Sequence, residues 1–465
     1  MGLGTKGGGI ESAKFAYEHG AKITITDLKD EESLKESLKL IHEIPKALVL
    51  GEHKESDFQQ HDIIIKNPGI KDSNKYIQIA LKNNKTVECP IGIFSELNSQ
   101  PNIGITGTKG KSYTTSLTSH LLSFFGVKSV AAGNNCVSPL GYLGKEHDFV
   151  LELSSWQLRE LNKHKKSPNI ACWLNFFDDH LNHYNSIDDY FEDKRNILKH
   201  QSRNDYCILP IKDDKLASLQ SNSKKILFTS DELDENKLPE CFALCCLKNG
   251  FITMIQDKAQ IQLVSINQLN PKLLISHHFE LVIASICIAY IYLNEYYSSI
   301  VIDENKLSKA LNSFNGLEHR FELLKTNSKA TVINDSAAST PESVVFALDS
   351  CRKLPVSLIL GGGGHKNLSF EKLAEKIVIN KIHVILFQND STSELISRLL
   401  CNLKYNNYTF VDSLKEATKI GYKQAVMDKG TLLLSSGCSG APYFTDMFER
   451  GKLFKQYINE IIYGN

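Results

Sequence analysis

The stretch Asn102-Ile103-Gly104-Ile105-Thr106-Gly107-Thr108-Lys109-Gly110-Lys111-Ser112 decides how the chain is read. A short apolar strand runs into Gly-x-x-Gly-Lys-Ser, and an apolar-periodic helix follows from Tyr113 to about Phe125. That order makes a phosphate cradle. Gly107 and Gly110 let backbone N–H groups turn inward, and the helix N-terminus adds partial positive charge. Lys111 is placed to reach terminal phosphates, and the Ser112 hydroxyl to sit on magnesium. Counting back from Gly110, the common G-x-x-x-x-G-K-[ST] spacing would put its first glycine at Ile105, so that general motif fits loosely. The competing reading is a glycine-rich strand-to-helix turn that binds nothing.

Working outward, the segment before this loop opens at Gly2-Leu3-Gly4-Thr5-Lys6-Gly7-Gly8-Gly9. A helical stretch (Ile10 to His19) and a strand ending in Asp27 follow. Glycine-rich turn, helix, strand and acidic end describe a nucleotide-binding βαβ unit, although no strand-forming stretch stands ahead of Gly2. A further strand, His61 to Ile65, closes in Asn67-Pro68-Gly69, and Asn98-Ser99-Gln100-Pro101 reads as a linker. Beyond the loop, strands at Phe149–Leu153 and Asn169–Asn175 alternate with helices, which implies a parallel sheet with its site at the strand carboxyl ends. Residues 205–270 read as irregular and strand-like, and a buried helix near 279–297 closes the segment. From Gly316 onward, strands at Thr331–Ile333, Ser357–Leu360, His383–Phe387 and Thr431–Leu434 describe a second doubly wound unit. The expected architecture is α/β in three domains: a Rossmann-like domain over 1–97, a central P-loop-type ATPase domain over 98–315, and a doubly wound domain over 316–465.

Composition narrows the function classes. The 465 residues exceed one ordinary core, and 53 basic against 53 acidic side chains give no excess for nucleic acid or an anionic membrane. The eleven cysteines lack paired metal spacing, and the adjacent Cys245 and Cys246 suit neither a zinc site nor a disulfide framework. With no signal peptide they read as reduced thiols of a cytoplasmic protein. The longest uncharged apolar run, Leu281 to Leu293, falls short of the ~18 residues of a membrane span.

Several strand ends carry chemistry. Glu152 ends its strand where a carboxylate can bind magnesium or orient water, or merely cap the next helix. Asp178-Asp179-His180 follows the next strand, although histidine is a soft ligand for magnesium. Lys194 lies on a helix from Ile187 to Leu198, where a lysine ordinarily faces solvent. Arg320 can clamp phosphate in bidentate fashion, and Asp335 ends a strand. The run Gly361-Gly362-Gly363-Gly364-His365-Lys366 can admit an anion or be a flexible turn.

Taken together these residues resemble the Mur ligase family, the ATP-dependent amino-acid-adding enzymes of peptidoglycan synthesis. The family's loop is G-[TS]-x-G-K-[ST], which Gly107 to Ser112 matches in full. Glu152-Leu153-Ser154-Ser155-Trp156-Gln157-Leu158 is similar to the E-L-S-S-[FW]-Q-L of its D-glutamate-adding branch. Asn67 to Ile70, Gly133-Asn134, Asp179-His180, Gly316-Leu317-Glu318-His319-Arg320, Asn334-Asp335-Ser336 and Glu449-Arg450-Gly451 fall in the family's order. The resemblance implies an amide ligase that adds glutamate to UDP-N-acetylmuramoyl-L-alanine through an acyl phosphate. By the same resemblance, Gly4, Thr5, Lys6, Asp27 and Lys29 would hold the UDP part, and Asn134 and His180 the muramoyl end. ATP would fall to Gly107, Thr108, Lys109, Gly110, Lys111 and Ser112, with Arg320 and Asp335. Ser112, Glu152, His180 and Lys194, the last as a carbamate, would hold magnesium. Lys111, Glu152, His180 and Lys194 would be the catalytic set, and Lys366, Ser339 and Ser439 would meet the amino acid. A monomer without a membrane span or nucleic-acid partner is expected. Several positions depart from the family pattern: Ala337 stands for a lysine, Gly440 for a serine, Met447 for a phenylalanine, and His278 and Leu281 for two asparagines. Three alternatives therefore stay open: an L-glutamate-adding relative, a folate-type polyglutamate ligase and a non-catalytic binder of ATP or UDP-sugars.

Overall fold

The computed structural model describes residues 1–4, 7–135, 137–177, 184, 186–233, 240–351, 354–364 and 368–464. The chain divides into two compact units, Met1–Phe314 and Asn315–Asn465.

In the first unit, β1 (Ile23–Asp27) pairs in parallel with β2 (Lys46–Leu50), and β3 (Ile63–Ile65) with β4 (Thr86–Glu88). The gap that the sequence leaves ahead of Gly2 lies between these two ribbons. The Gly2 N–H donates to Thr26 O at 2.8 Å, and the Asn67 N–H to Met1 O at 3.3 Å. Met1 and Gly2 thus bridge the two pairs.

The second sheet of this unit begins with β5 (Asn102–Thr106), β6 (Ser129–Gly133), β7 (Asp148–Glu152) and β8 (Ile170–Trp173). Next come β9 (Tyr206–Pro210), β10 (Lys224–Thr229), β11 (Ala243–Lys248), β12 (Phe251–Gln256) and β13 (Ala259–Ser265). The order is β13-β12-β11-β10-β9-β8-β5-β7-β6, with antiparallel pairing only at β11–β12 and β12–β13 among the described strands. The irregular region read at 205–270 is therefore an extension of the same sheet. Ile103, Ile105, Val150, Ile170, Cys172 and Trp173 are buried, as strands covered on both faces require. The helix Ser276–Tyr296 packs on the P-loop helix Lys111–Phe124. Its span His278–Tyr296 is long and apolar enough to cross a membrane by length and composition, yet most of it is buried inside the unit.

In the second unit, β14 (Glu322–Leu324), β15 (Thr331–Asn334), β16 (Val356–Ile359), β17 (His383–Phe387), β18 (Tyr408–Val411) and β19 (Thr431–Leu434) form one sheet in the order β14-β15-β19-β16-β17-β18. It is parallel except for β14, and β14 and β18 are strands that the sequence reading did not find. All ten described cysteines are free thiols, Cys245 and Cys246 among them.

Candidate active site

The phosphate loop forms where β5 ends. Gly110 caps the following helix at φ +86°, a left-handed conformation that costs glycine little. A Cβ there would also lie 2.6 Å from Leu281 Cδ2, so any other residue would meet a strained φ and push the Leu281 side chain aside. Leu281, where the family pattern has asparagine, thus packs against the cradle from the buried helix. Asn175, just past β8, pins the loop backbone. Its Oδ1 accepts the Thr108 N–H at 3.0 Å and the Lys109 N–H at 2.9 Å, and its Nδ2 donates to Lys109 O at 3.0 Å. The Lys111 ammonium folds back onto the loop carbonyls of Gly107 (2.8 Å) and Thr108 (3.0 Å). Ser112 is half-buried in the first helical turn.

Glu152 ends β7, one strand away from the loop, through the register Ile105↔Glu152. The string after it is a local folding signal. Ser154 and Gln157 form a capping box at the start of the helix Ser155–Lys163, which fixes where the strand stops. Glu152 is therefore a strand-end residue and not the helix cap. It is 3% exposed. Its Oε1 accepts from Asn134 Nδ2 at 2.9 Å, while its buried Oε2 meets no hydrogen-bond donor among the described residues. A buried carboxylate oxygen without a donor is costly unless a cation completes it, and magnesium prefers oxygen ligands of this kind.

Lys194 corrects the expectation of a solvent-facing lysine. It is 1% exposed, donates to Gly107 O at 2.9 Å and Thr106 Oγ1 at 3.2 Å, and lies over the Tyr190 ring. The helix Ile187–Lys199 buries Tyr190, Phe191, Lys194, Ile197 and Leu198 on one stripe, so helical period carries the lysine inward. Glu152, Asn134, Lys194, Lys111 and Ser112 gather at the carboxyl edge of β5–β7. Asp178, Asp179 and His180 lie outside the described residues. Among the described residues no cluster of three or more acidic, histidine or cysteine side chains forms a ready metal site. The donors that fit magnesium are therefore Glu152 and the Ser112 hydroxyl.

At the N-terminal turn, Asp27 Oδ2 accepts the Gly4 N–H at 3.0 Å and Oδ1 accepts the Lys29 N–H at 2.9 Å. The acid at the strand end thus braces the glycine-rich turn. Thr5 and Lys6 lie outside the described residues.

In the second unit, Asp335 follows β15 and accepts from the Phe321 N–H (3.0 Å) and Ser435 Oγ (2.9 Å). Loss of hydration pushes its pKa up to about 7 against these bonds and the nearby Arg320 charge. Arg320 itself is exposed. The neighbouring His319 is buried beside Asn334 Nδ2 at 2.9 Å, and burial lowers its pKa. Ala337, in place of the family's lysine, is buried, with its N–H on His319 O at 2.9 Å.

The glycine run after β16 is neither a free anion cradle nor a loose turn. The Gly362 and Gly363 N–H groups donate to the buried Asp390 carboxylate at 3.1 and 2.8 Å. Arg450, fully buried, ties three strand-end loops together: it donates to Ser336 O (2.9 Å), Cys438 O (3.1 Å), Gly362 O (3.3 Å) and Ser439 O (3.3 Å). A Cβ on Gly440 would meet the Asp446 carbonyl carbon at 2.6 Å, so no serine fits there as the backbone stands. Ser439 instead sits beside Gly364 O at 3.5 Å, and Ser339 is half-buried in the segment after β15. Lys366 and His365 lie outside the described residues. Asn175, Asp390 and Arg450 are residues that the sequence reading gave no role.

Comparison with known proteins agrees with this geometry. Family models match three consecutive regions: the Mur ligase MurD-like N-terminal domain over residues 1–88, the Mur ligase middle domain over 105–240 and the Mur ligase glutamate ligase domain over 319–438. The chain is 32% identical to a UDP-N-acetylmuramoylalanine–D-glutamate ligase of Borreliella afzelii, covering 99% of this chain and 96% of the relative. It is 30% identical to the protein of that name from Roseiflexus, covering 98% and 97%. Among solved structures, the UDP-N-acetylmuramate–alanine ligase MurC of Thermotoga maritima shares the fold with a TM-score of 0.59 at 18% identity, over 99% of this chain and 98% of that one. With a phosphate loop, a donorless strand-end carboxylate and an inward lysine at one sheet edge, and with relatives matched along its whole length, the chain belongs to the Mur ligase family.

Proposed function

We propose that this chain is an ATP-dependent amide ligase that joins D-glutamate to UDP-N-acetylmuramoyl-L-alanine in cytoplasmic peptidoglycan synthesis, acting as a monomer. The observation that carries the reading is the buried Oε2 of Glu152 beside the phosphate loop, which meets no donor among the described residues. The relatives' shared name supplies the substrates. Residues 1–97 would take the sugar nucleotide, 98–315 ATP and 316–465 the amino acid.

A carboxylate is a poor electrophile. The γ-phosphoryl group of ATP is first transferred to the terminal carboxylate of the sugar nucleotide, releasing ADP. The amine of glutamate attacks the resulting acyl phosphate, gives up a proton, and phosphate leaves. The phosphate-loop N–H groups and Lys111 hold and neutralise the triphosphate; Lys111 must leave the Gly107 and Thr108 carbonyls to do so. Asn175 meanwhile keeps the shape of the loop by taking the Thr108 and Lys109 N–H groups, which are its own partners and not the phosphates'. Magnesium, held by Ser112, Glu152, His180 and Lys194, would screen phosphate charge. Carbamylation of Lys194 would turn an amine into an oxygen ligand of the sort magnesium accepts. Asn134 orients the Glu152 carboxylate through Oε1, leaving Oε2 for the cation. Gly4, Thr5, Lys6, Asp27 and Lys29 would bind the UDP part, Asn134 and His180 the muramoyl end, Arg320 and Asp335 the nucleotide, and Lys366, Ser339 and Ser439 the amino-acid carboxylates.

The test is a product assay with purified protein, ATP, magnesium, UDP-N-acetylmuramoyl-L-alanine and each glutamate enantiomer. ADP and a ligated product with D-glutamate are expected. Absence of both products with either enantiomer refutes the proposal.

A further inference from the structure

Inside the first unit, a buried ion pair joins two segments that the proposed function gives to different ligands. Lys66 follows β3, on the sugar-nucleotide side. Glu160 lies on the helix Ser155–Lys163, which starts three residues after Glu152. The Lys66 Nζ–Glu160 Oε1 distance is 2.7 Å, and the two side chains are 0% and 2% exposed. Lys66 also donates to Ile70 O at 2.8 Å, which closes the Asn67-Pro68-Gly69 loop on itself. Glu160 Oε2 takes the Lys163 ammonium at 2.8 Å, Lys163 reaches Asp72 Oδ2 at 2.8 Å, and Asp72 Oδ1 returns to Lys66 at 3.5 Å. Four charges of alternating sign thus make a ring between loop 66–72 and the helix.

The loop so held has two further neighbours. The Asn67 N–H donates to Met1 O at the start of the glycine-rich turn, at 3.3 Å. On the other side, a Cβ at Gly69 would lie 3.4 Å from the Trp156 ring, on the residue that follows Ser155. A buried ion pair is no efficient stabiliser, since an apolar pair of similar volume is often as stable. What it supplies is direction, because the ammonium donates to two fixed acceptors, Glu160 Oε1 and Ile70 O, with the Asp72 carboxylate alongside.

We infer that Lys66 and Glu160 are positioning residues for the sugar nucleotide: they hold loop Asn67–Ile70 in register between the glycine-rich turn and the helix behind Glu152. The inference rests on the proposed function. The test is steady-state kinetics of the full chain with K66M/E160L, which removes both charges together. Thermal midpoint should stay within about 4 °C of the native protein. KM for UDP-N-acetylmuramoyl-L-alanine should rise about tenfold or more, with KM for ATP within about twofold. An unchanged sugar-nucleotide KM, or both KM values rising together, overturns the inference. Should the double variant not fold, E160Q keeps the shape and an acceptor oxygen; a rise of about threefold or more in sugar-nucleotide KM alone is expected, and no rise overturns the inference. Native protein without turnover overturns the functional reading and this inference with it. Active native protein with indifferent variants overturns the inference alone.

Discussion

Replacing Asp335 by asparagine should make the second unit more stable at pH 8 while weakening its function. The carboxyl pKa is raised from 3.8 to about 7, chiefly by lost hydration. The folded chain therefore holds this proton more tightly than the unfolded chain. The contribution of this group to stability is greatest below about pH 4, falls as pH rises toward 7, and is level above it. At about 1.4 kcal/mol per pH unit, the interval from 3.8 to about 7 sets a ceiling of about 4 kcal/mol. The side chain keeps some solvent access, and Ser435 would have to turn from donor to acceptor toward a new amide group. A net gain of about 1–2 kcal/mol at pH 8 is the working figure, and at pH 4 the gain should vanish. Fluorescence will not see it, because Trp156 and Trp173 both lie in the first unit. Hydrogen exchange followed by mass spectrometry on peptides from β15 and β19 will, with intrinsic rates corrected for pH. About 2 kcal/mol corresponds to about thirtyfold slower opening in the variant at pH 8. Turnover should fall, with KM for ATP raised. If native β15 and β19 are equally protected at pH 5 and pH 8, or if D335N shows the same pH dependence as the native chain, the reasoning is wrong.

Glu152→Gln should abolish turnover with no loss in thermal midpoint, because the amide removes a buried charge whose Oε2 has no donor; a destabilised or near-normally active variant contradicts the assigned role. Lys194→Met should likewise stop turnover. Depleting carbon dioxide should lower native activity reversibly with bicarbonate, while indifference to carbon dioxide would remove the carbamate from the proposal. Gly110→Ala meets both a left-handed φ and the Leu281 side chain 2.6 Å away, so ATP binding should weaken about tenfold or more by calorimetry. Asp390→Asn leaves one of the Gly362 and Gly363 N–H groups facing an amide hydrogen; if residues 316–465 take the amino acid, KM for glutamate should rise severalfold while KM for ATP holds, and parallel changes in both would refute that division of roles.

What the sequence disclosed, and what it hid, follows the range of the interactions involved. The phosphate loop and the Glu152 string were readable because their logic is local: a strand, a turn needing glycine, and a capping box four residues long. Asn175 and Asp390 were not, because their partners are backbone N–H groups 66 to 67 and 27 to 28 residues away, and no side-chain pattern marks a backbone donor. Lys194 and Arg450 fall between these cases. Lys194 shares a stripe with Tyr190, Ile197 and Leu198, and Arg450 with Phe454 and Ile458, so each is a charge on the buried period of an amphipathic helix. Helical residues at that spacing go inward whatever their chemistry, and a charge taken inward must find partners there. Lys194 finds the Gly107 carbonyl and Arg450 finds four loop carbonyls. A basic residue breaking an apolar helical stripe is thus a signal of a buried polar node that one sequence can supply. Weighing each lysine by itself as a surface residue discards that signal, and the mistaken expectation for Lys194 arose in this way.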